Sequence, residues 1–236
     1  MFRKILYVIV LFSLEAIYAQ NGMNNIAPRI IDYPSSLSTT NDEARQLYNI
    51  GSDCLRNNDL NEAENNLLKA IAIDPNFYEA LDHIALVYKR QNRLSEAEEM
   101  YLKSLAINPD NLIPYLNLAN IYGFQKKMQE TIEVLLKAII VDPKYPEPYF
   151  QLASIFQVVG QFEISISYTK IAIELYLKEN NTDELYYAYR MQGVNFLQIQ
   201  KFEEAAIFFE ESNVYFNDNE IKELVNNIRE HISSNQ

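Results

Sequence analysis

The sequence predicts an all-α protein built from repeated pairs of helices. Three prolines, Pro75, Pro109 and Pro143, recur at a fixed interval of 34 residues. The apolar residues between them follow the i, i+3, i+4, i+7 spacing of amphipathic helices. Five glycines and eight prolines in 236 residues are few for a sheet protein, which needs many tight turns.

Residues 1–19 have the pattern of an export signal. Two basic residues, Arg3 and Lys4, precede an apolar run over residues 5–14, and Ala19 is a suitable small residue for cleavage. The run is shorter than the about 20 residues that a membrane-spanning helix requires. Cys54 is the only cysteine, so the signal is not of the lipoprotein kind and no internal disulfide can form. We expect export to a bacterial periplasm or cell envelope, or secretion; the alternative is an uncleaved segment that tethers the protein to the membrane.

The charge of the chain argues against polyanionic partners. The whole chain has 20 basic and 32 acidic residues. Without residues 1–19, 18 basic and 31 acidic residues remain, a net charge of −13. Such a charge opposes binding to nucleic acid and to anionic membrane surfaces. We therefore expect no nucleic-acid partner, and no membrane association once the signal is cleaved.

A polar linker is predicted over residues 20–43, with Thr40 and Glu43 forming a capping box before the first helix. Counting from Ala44 places each recurring proline at position 32 of a 34-residue unit. Five units follow, the last after a six-residue insertion: 44–77, 78–111, 112–145, 146–179 and 186–219.

The first helix of each unit is predicted from its apolar stripe at positions 4, 7, 8 and 11. Position 8 is always small, so that another helix can approach closely. It is occupied by Gly51, Ala85, Ala119, Ala153 and Gly193.

The second helix of each unit has small residues at positions 20 and 27 and a large residue at position 24, with Thr169 as the exception. Position 15 lies between the two helices and has Asn58, Asn92 and Gly160, which tolerate a left-handed turn. Ser95 and Glu98 are predicted to form a capping box at the second helix of the second unit.

This pattern resembles the tetratricopeptide repeat family most closely through residues 44–179. The resemblance implies a solenoid, an α-α superhelix of about five helix-turn-helix repeats. The proline at position 32 would end each second helix and fix the loop to the next repeat. Leu177 replaces it in the fourth unit, so that helix is expected to continue, with residues 180–184 supplying a loop and a cap. Residues 220–236 are predicted as a capping helix and tail, with an apolar face that covers the last repeat.

In the family, the first helices line a concave groove that binds a partner peptide or helix. The resemblance therefore implies a non-catalytic scaffold whose partner is a protein or peptide with an apolar or aromatic segment. The basic residues that grip a partner's C-terminal carboxylate in some family members are absent from the corresponding positions. Mapped onto this chain, the predicted partner-binding residues are Tyr48, Asn49, Ser52, His83, Leu86, Leu116, Asn117, Asn120, Phe124, Phe150, Gln151, Tyr187, Arg190 and Met191.

Two features allow an alternative, a metal-binding protein or a serine-nucleophile enzyme. His83 lies one helical turn after Glu79, but no second histidine is near in sequence, and zinc takes three or four ligands. Ser167 and Lys170 form an S-x-x-K pair without the K-T-G motif that accompanies it in penicillin-recognising enzymes. The sequence favours the scaffold, with no cofactor, no metal and no catalytic residues.

Overall fold

The computed structural model describes residues 37–234. The predicted signal and residues 20–36 of the predicted linker lie outside this range. The described residues form eleven α-helices and no strand. The helices are α1 (Asp42–Arg56), α2 (Leu60–Ile73), α3 (Tyr78–Arg90), α4 (Leu94–Ile107), α5 (Leu112–Phe124), α6 (Met128–Val141), α7 (Glu147–Val158), α8 (Phe162–Glu179), α9 (Thr182–Gln198), α10 (Phe202–Tyr215) and α11 (Asn219–Ser234).

The described helices belong to two compact units, residues 37–137 and residues 138–234, with the division inside α6. In the first unit, α1 packs on α2, α2 on α3, α3 on α4, and α4 on α5. In the second unit, the same order of neighbours runs from α7 to α11. In each unit these helices therefore pack mainly against their neighbours in the chain, as expected for stacked helix pairs.

Small residues lie where the helices of a pair approach each other. A Cβ atom added to Gly51 would lie 2.8 Å from Leu67 Cγ, and one added to Gly193 would lie 2.8 Å from Phe209 Cδ1. Ala85, Ala119 and Ala153 at the same repeat position are no more than 1% exposed. The predicted role of position 8 is confirmed.

The turn inside every helix pair has one left-handed residue. Its φ angles are 60° and 62° at Asn58 and Asn92 and 77° at Gly160, as predicted. Lys126 and Gln200 occupy the same position with φ angles of 60° and 62°, although neither residue type favours this region. Since the five turns share this backbone geometry, the turn is not set by the side chain at position 15.

Two predicted helix starts are wrong by one or two residues. Asn41, and not Thr40, caps α1, because its side chain accepts the Ala44 N–H. Arg93 is the N-cap of α4, without a side-chain cap, so Ser95 lies inside the helix.

The irregular loop between α8 and α9 agrees with the sequence prediction. Helix α8 continues to Glu179, and Asn180 ends it with a φ angle of 52°. Asn181 then caps α9 by accepting the Glu184 N–H. Helix α9 begins at Thr182, four residues before the predicted fifth repeat.

Two stripe positions differ from the simple apolar pattern. Ile50 was predicted on the buried stripe of α1 but is 43% exposed, while Tyr48 and Ser52 are buried. Thr169 occupies the apolar position 24 of the fourth repeat and is buried. Its hydroxyl donates to the Ser165 carbonyl at 2.7 Å, so the polar group is satisfied inside the core.

A buried polar chain connects three helices of the second unit. Gln157 Nε2 on α7 donates to Asn195 Oδ1 on α9 at 2.8 Å. Asn195 Nδ2 donates to Ser165 Oγ on α8 at 2.8 Å, and Ser165 Oγ donates to the Ala153 carbonyl at 2.8 Å. Three buried side chains thus satisfy one another.

The C-terminal helix α11 packs on α10 through its apolar face, as predicted. Ile221, Leu224, Val225 and Ile228 are no more than 5% exposed. None of the helices in residues 37–234 is long and apolar enough to cross a membrane.

Candidate protein-binding faces

The inner face of the first unit is formed by α1, α3 and α5, which contact one another through side chains. The rings of Tyr48 and His83 stack at 4.9 Å, with the Tyr48 hydroxyl 3.4 Å from His83 Nε2. Between α3 and α5, Lys89 Nζ donates to Asn117 Oδ1 at 3.1 Å. The predicted binding residues of this first inner face are Tyr48, Asn49, Ser52, His83, Leu86, Leu116, Asn117, Asn120 and Phe124.

Most of the first inner face is buried. Its apolar members Leu86 and Leu116 are 3% and 8% exposed, and Tyr48 is 5% exposed. Asn49 is exposed, and Phe124 is 57% exposed at the C-terminal end of α5. The apolar contact surface predicted for a partner is therefore concentrated at Phe124.

Charged groups are also buried on this face. Glu79 and Asp82 are 1% and 3% exposed, and Asp82 Oδ2 accepts a hydrogen bond from Asn111 Nδ2 at 2.7 Å. Burial lowers the pKa of Lys89 to about 8. Burial, with a smaller contribution from Arg56, lowers the pKa of His83 to about 4, so His83 is neutral at pH 7.

The two asparagines on α5 differ in their hydrogen bonding. Asn117 accepts from Lys89 and donates to the Ile113 carbonyl at 3.2 Å, so both ends of its amide are used. Asn120 is 5% exposed, and its Oδ1 has no hydrogen-bond partner among residues 37–234. A buried acceptor without a donor destabilises the protein, and a peptide N–H could satisfy it.

The second inner face is formed by α7 and α9 and contains Phe150, Gln151, Tyr187, Arg190 and Met191. Phe150 and Met191 are 6% and 0% exposed and belong to the hydrophobic core of the second unit. Phe150 packs edge-on against Tyr176 at a centroid distance of 6.2 Å. The Thr169 hydroxyl lies 3.5 Å from Met191 Sδ. Both residues therefore have a structural role in the described fold.

Gln151, Tyr187 and Arg190 remain partly exposed. Tyr187 packs against Tyr186 at 5.0 Å, and the Tyr186 hydroxyl donates to Asp218 Oδ2 at 2.8 Å. Burial, together with that carboxylate, raises the pKa of Tyr186 to about 12.

Arg190 has an unused donor on this face. Its Nη1 donates to the Tyr186 hydroxyl at 3.2 Å, whereas its Nε is buried and has no partner within the described part of the chain. Since a guanidinium donates to carboxylates and carbonyls in a fixed geometry, this atom is suited to an acceptor on a partner.

Sequence reasoning missed two contacts near these faces. Glu79 accepts from Ser38, and Asp218 accepts from Tyr186. Ser38 belongs to the predicted linker and Asp218 to the loop before α11, and neither follows the 34-residue period that identified the other positions.

The structure shows no metal site around His83 and Glu79 among the described residues. Within residues 37–234, no group of three or more His, Cys, Asp or Glu side chains could hold a metal ion. Ser167 is exposed, and its Oγ donates to the Glu163 carbonyl of its own helix at 2.9 Å.

Residues 44–77, 78–111 and 114–145 match the tetratricopeptide repeat family. Residues 44–145 of the chain contain three tetratricopeptide repeats. The family and the all-α fold class predicted from the sequence are confirmed, and this fold supports a scaffold for protein–protein interaction. No curated protein sequence matches the chain significantly.

Solved structures with a similar fold include three tetratricopeptide proteins. MamA from Desulfovibrio magneticus RS-1 has 19% identity and a TM-score of 0.64, with 75% of this chain and 97% of that chain covered. YrrB, described as having an unusual peptide-binding site, has 16% identity and a TM-score of 0.60, with 88% and 94% covered. Pseudomonas aeruginosa PilF has 21% identity and a TM-score of 0.61, with 75% and 79% covered. These similarities support the fold of the chain.

Proposed function

We propose that this protein is a non-catalytic scaffold that binds a protein or peptide partner along the inner faces of its repeats. The observation that carries the proposal is the pair of unsatisfied polar atoms on those faces, Asn120 Oδ1 and Arg190 Nε. Each could pair separately with a peptide backbone group, an N–H for Asn120 Oδ1 and a carbonyl for Arg190 Nε. A solved relative in fold, YrrB, is described as binding peptide.

The partner segment is expected to combine an apolar or aromatic side chain with a hydrogen-bond acceptor. The partly exposed Tyr187 offers aromatic surface beside Arg190, and aromatic residues are often central to protein interfaces. Arg190 would bind the acceptor. This site lies on the second inner face and depends on α9.

We place the protein in the bacterial periplasm or cell envelope, or among secreted proteins. The support is the signal pattern of residues 1–19 and the net charge of −13 that follows its removal. The tethered form of the same module is the second candidate, since the apolar run over residues 5–14 would remain if the signal were not cleaved.

A photo-crosslinking experiment tests the binding face. p-Benzoylphenylalanine replaces Tyr187 in one variant and Ile207, a 52% exposed residue on α10, in a control. After irradiation in envelope extracts, the Tyr187 variant is expected to form a discrete adduct that the Ile207 variant does not form. Adding Arg190→Gln to the Tyr187 variant should reduce the yield several-fold. Equal labelling at both positions, or no adduct at either, would contradict the proposal.

Phe150→Ala serves as a separate control. Because Phe150 lies in the core of the second unit, truncating it should destabilise the protein by about 3–5 kcal/mol. A loss of binding in that variant would therefore report unfolding, whereas Tyr187 and Arg190 can be changed with less effect on the core.

A further inference from the structure

Lys89 places a positive charge on the first inner face without a negative partner. It lies in the last turn of α3 and is partly buried. Its Nζ donates to Asn117 Oδ1 at 3.1 Å, and it forms no ion pair within residues 37–234. Burial alone accounts for the lowered pKa of this ammonium group, so no carboxylate offsets the cost of taking the charge out of water.

The neighbouring Arg90 also lacks a carboxylate partner. Its Nη1 donates to the Leu55 carbonyl of α1 at 2.9 Å, and burial lowers its pKa. Residues 37–234 contain six arginines, and only Arg90 and Arg190 form no ion pair among the described residues. The other four pair with an Asp or Glu side chain at 2.5–2.8 Å: Arg45, Arg56, Arg93 and Arg229. The end of α3 is therefore a positive patch in a chain with an excess of acidic residues.

This end of the first inner face is open to solvent. Phe124, in the last turn of α5, is 57% exposed, and both Lys89 and Arg90 are partly exposed. The start of α3 is closed in comparison, since Glu79 and Asp82 are no more than 3% exposed. A partner can therefore reach the first inner face at the C-terminal ends of α3 and α5.

Asn120 adds an unsatisfied acceptor close to Lys89. It follows Asn117 by three residues on α5, so the Cβ atoms of the two asparagines are about 5–6 Å apart. Asn120 is 5% exposed, and its Oδ1 has no hydrogen-bond partner within residues 37–234. A peptide N–H would satisfy this acceptor, and a carboxylate would pair with the Lys89 ammonium that lies on Asn117. One acidic residue carries both of these groups.

The surroundings favour a single acidic residue over an acidic run. Phe124 follows Asn120 by four residues, so it lies on the same side of α5 and can contact an apolar side chain next to the acid. The chain without residues 1–19 has a net charge of −13, which repels a polyacidic segment at long range. A lone carboxylate between apolar residues experiences less of this repulsion.

We propose that Lys89, Asn120 and Phe124 form a subsite for one Asp or Glu residue of an extended partner segment. The Lys89 ammonium binds the side-chain carboxylate, Asn120 Oδ1 accepts the backbone N–H of the same residue, and Phe124 contacts its apolar neighbour. The proposal rests on the proposed function, since it specifies the chemistry of the segment that binds the first inner face.

Peptide selection tests the subsite. A random dodecapeptide library displayed on phage is selected in parallel on the mature chain, residues 20–236, and on its Lys89→Met and Lys69→Met variants. Lys69 is an exposed residue of α2, so the control loses the same charge elsewhere. We expect peptides with one Asp or Glu beside an apolar residue to be enriched on the mature chain and on the control. Their enrichment should fall at least about threefold on Lys89→Met.

A thermodynamic cycle locates the carboxylate. The most enriched peptide is synthesised with its acidic residue and with the corresponding amide, Asn or Gln, and its affinity is measured by fluorescence anisotropy. The change to the amide should weaken binding to the mature chain about tenfold and binding to Lys89→Met less than about twofold. Equal losses on the two proteins would overturn the proposal, as would selection of peptides without an acidic residue or of no peptide.

Urea unfolding separates a binding role of Lys89 from a structural one. Methionine keeps the aliphatic part of the side chain and removes a charge that has no carboxylate partner. Lys89→Met should therefore unfold at a urea concentration no lower than that of the unchanged mature chain. A lower midpoint would show that the charge stabilises the fold, and it would overturn the proposal.

The two proposals fail separately. If Lys89→Met selects the same acidic peptides while the Tyr187 variant still captures a partner, only the acidic-residue subsite is wrong. If the cycle shows coupling to Lys89 and no partner is captured at Tyr187, the binding function of the second inner face is wrong.

Discussion

Position 15 of each repeat shows how backbone geometry can dominate over residue type. In all five turns, the N–H of position 16 donates to the carbonyl of position 11 at 2.8–2.9 Å, and the N–H of position 15 donates to the carbonyl of position 12. This pair of hydrogen bonds is the Schellman motif that ends many helices with a left-handed residue. The motif forms with Lys126 and Gln200 as it does with Asn58 and Gly160.

Replacing Lys126 by glycine should stabilise the protein by about 0.5–1 kcal/mol. A lysine in the left-handed region costs roughly 1–2 kcal/mol, and glycine avoids this cost while losing some conformational entropy. Lys137→Gly is the matched control, because Lys137 is an exposed residue inside α6, where glycine should cost about 1 kcal/mol. Urea unfolding of both variants gives the free energies. A loss of stability in Lys126→Gly would contradict the explanation.

His83 makes the stability of the first unit depend on pH. Its pKa is about 4 in the folded protein and about 6.5 when unfolded. The unfolded chain therefore takes up a proton first as the pH falls, and stability decreases between pH 6.5 and 4. Between pH 7.5 and pH 5.5, the titration of His83 should lower the free energy of unfolding by about 1 kcal/mol.

The comparison is between the wild type and His83→Gln, which cannot titrate in this range. Urea unfolding at pH 7.5 and pH 5.5 should show the larger decrease in the wild type. Parallel decreases in the two proteins would mean that His83 can be protonated without loss of the fold.

At the scale of helices, the repeat pattern identified ten helices in five pairs and the C-terminal helix within residues 37–234. It succeeded because packing within and between helix pairs requires an apolar stripe on each helix and small residues where two helices approach closely. It was less accurate at helix starts. Asn41 caps α1 in place of Thr40, and α4 begins at Leu94 without a cap, since adjacent polar residues offer more than one possible start and tertiary packing selects among them.

The contact between Gly193 and Phe209 is a direct test of helix packing. A Cβ at residue 193 would lie 2.8–3.0 Å from three atoms of the buried Phe209 ring. Gly193→Ala gains roughly 1 kcal/mol of helix propensity but should lose about 1–3 kcal/mol from overpacking. A net destabilisation of about 1 kcal/mol is expected in denaturant melts.

A double-mutant cycle with Phe209→Leu isolates this contact. The smaller side chain should accept the added methyl group, so the two substitutions together should destabilise less than the sum of their separate effects, by at least about 0.5 kcal/mol. Additive effects would show that the ring does not limit the approach of the two helices.

At the scale of the molecule, the sequence predicted correctly which residues lie on the first helix of each repeat. It predicted less well which of their side chains are exposed to solvent. Positions such as those of Leu86 and Phe150 follow from the period, but both residues are buried. Their burial depends on side chains from other helices, including Tyr176 for Phe150, and a single helix pattern cannot show this. Arg190 was predicted from its position alone, and only the structure shows its unused Nε.

The predicted export can be tested on the intact protein. Expressed with its full N-terminus in a bacterial host, the chain should accumulate in the periplasm with Gln20 as its first residue, as measured by intact mass and N-terminal sequencing. Recovery of the uncleaved chain in the membrane fraction would favour the tethered form.

The buried hydrogen bonds among Gln157, Asn195 and Ser165 restrict where an additional repeat could be inserted into this protein. Repeat proteins can often gain or lose units, because each unit contacts only its neighbours. A copy inserted between α8 and α9 would separate Asn195 from both Gln157 and Ser165 and leave their amides and hydroxyl unpaired. Helices α7, α8 and α9 must therefore remain neighbours for these buried polar groups to stay paired.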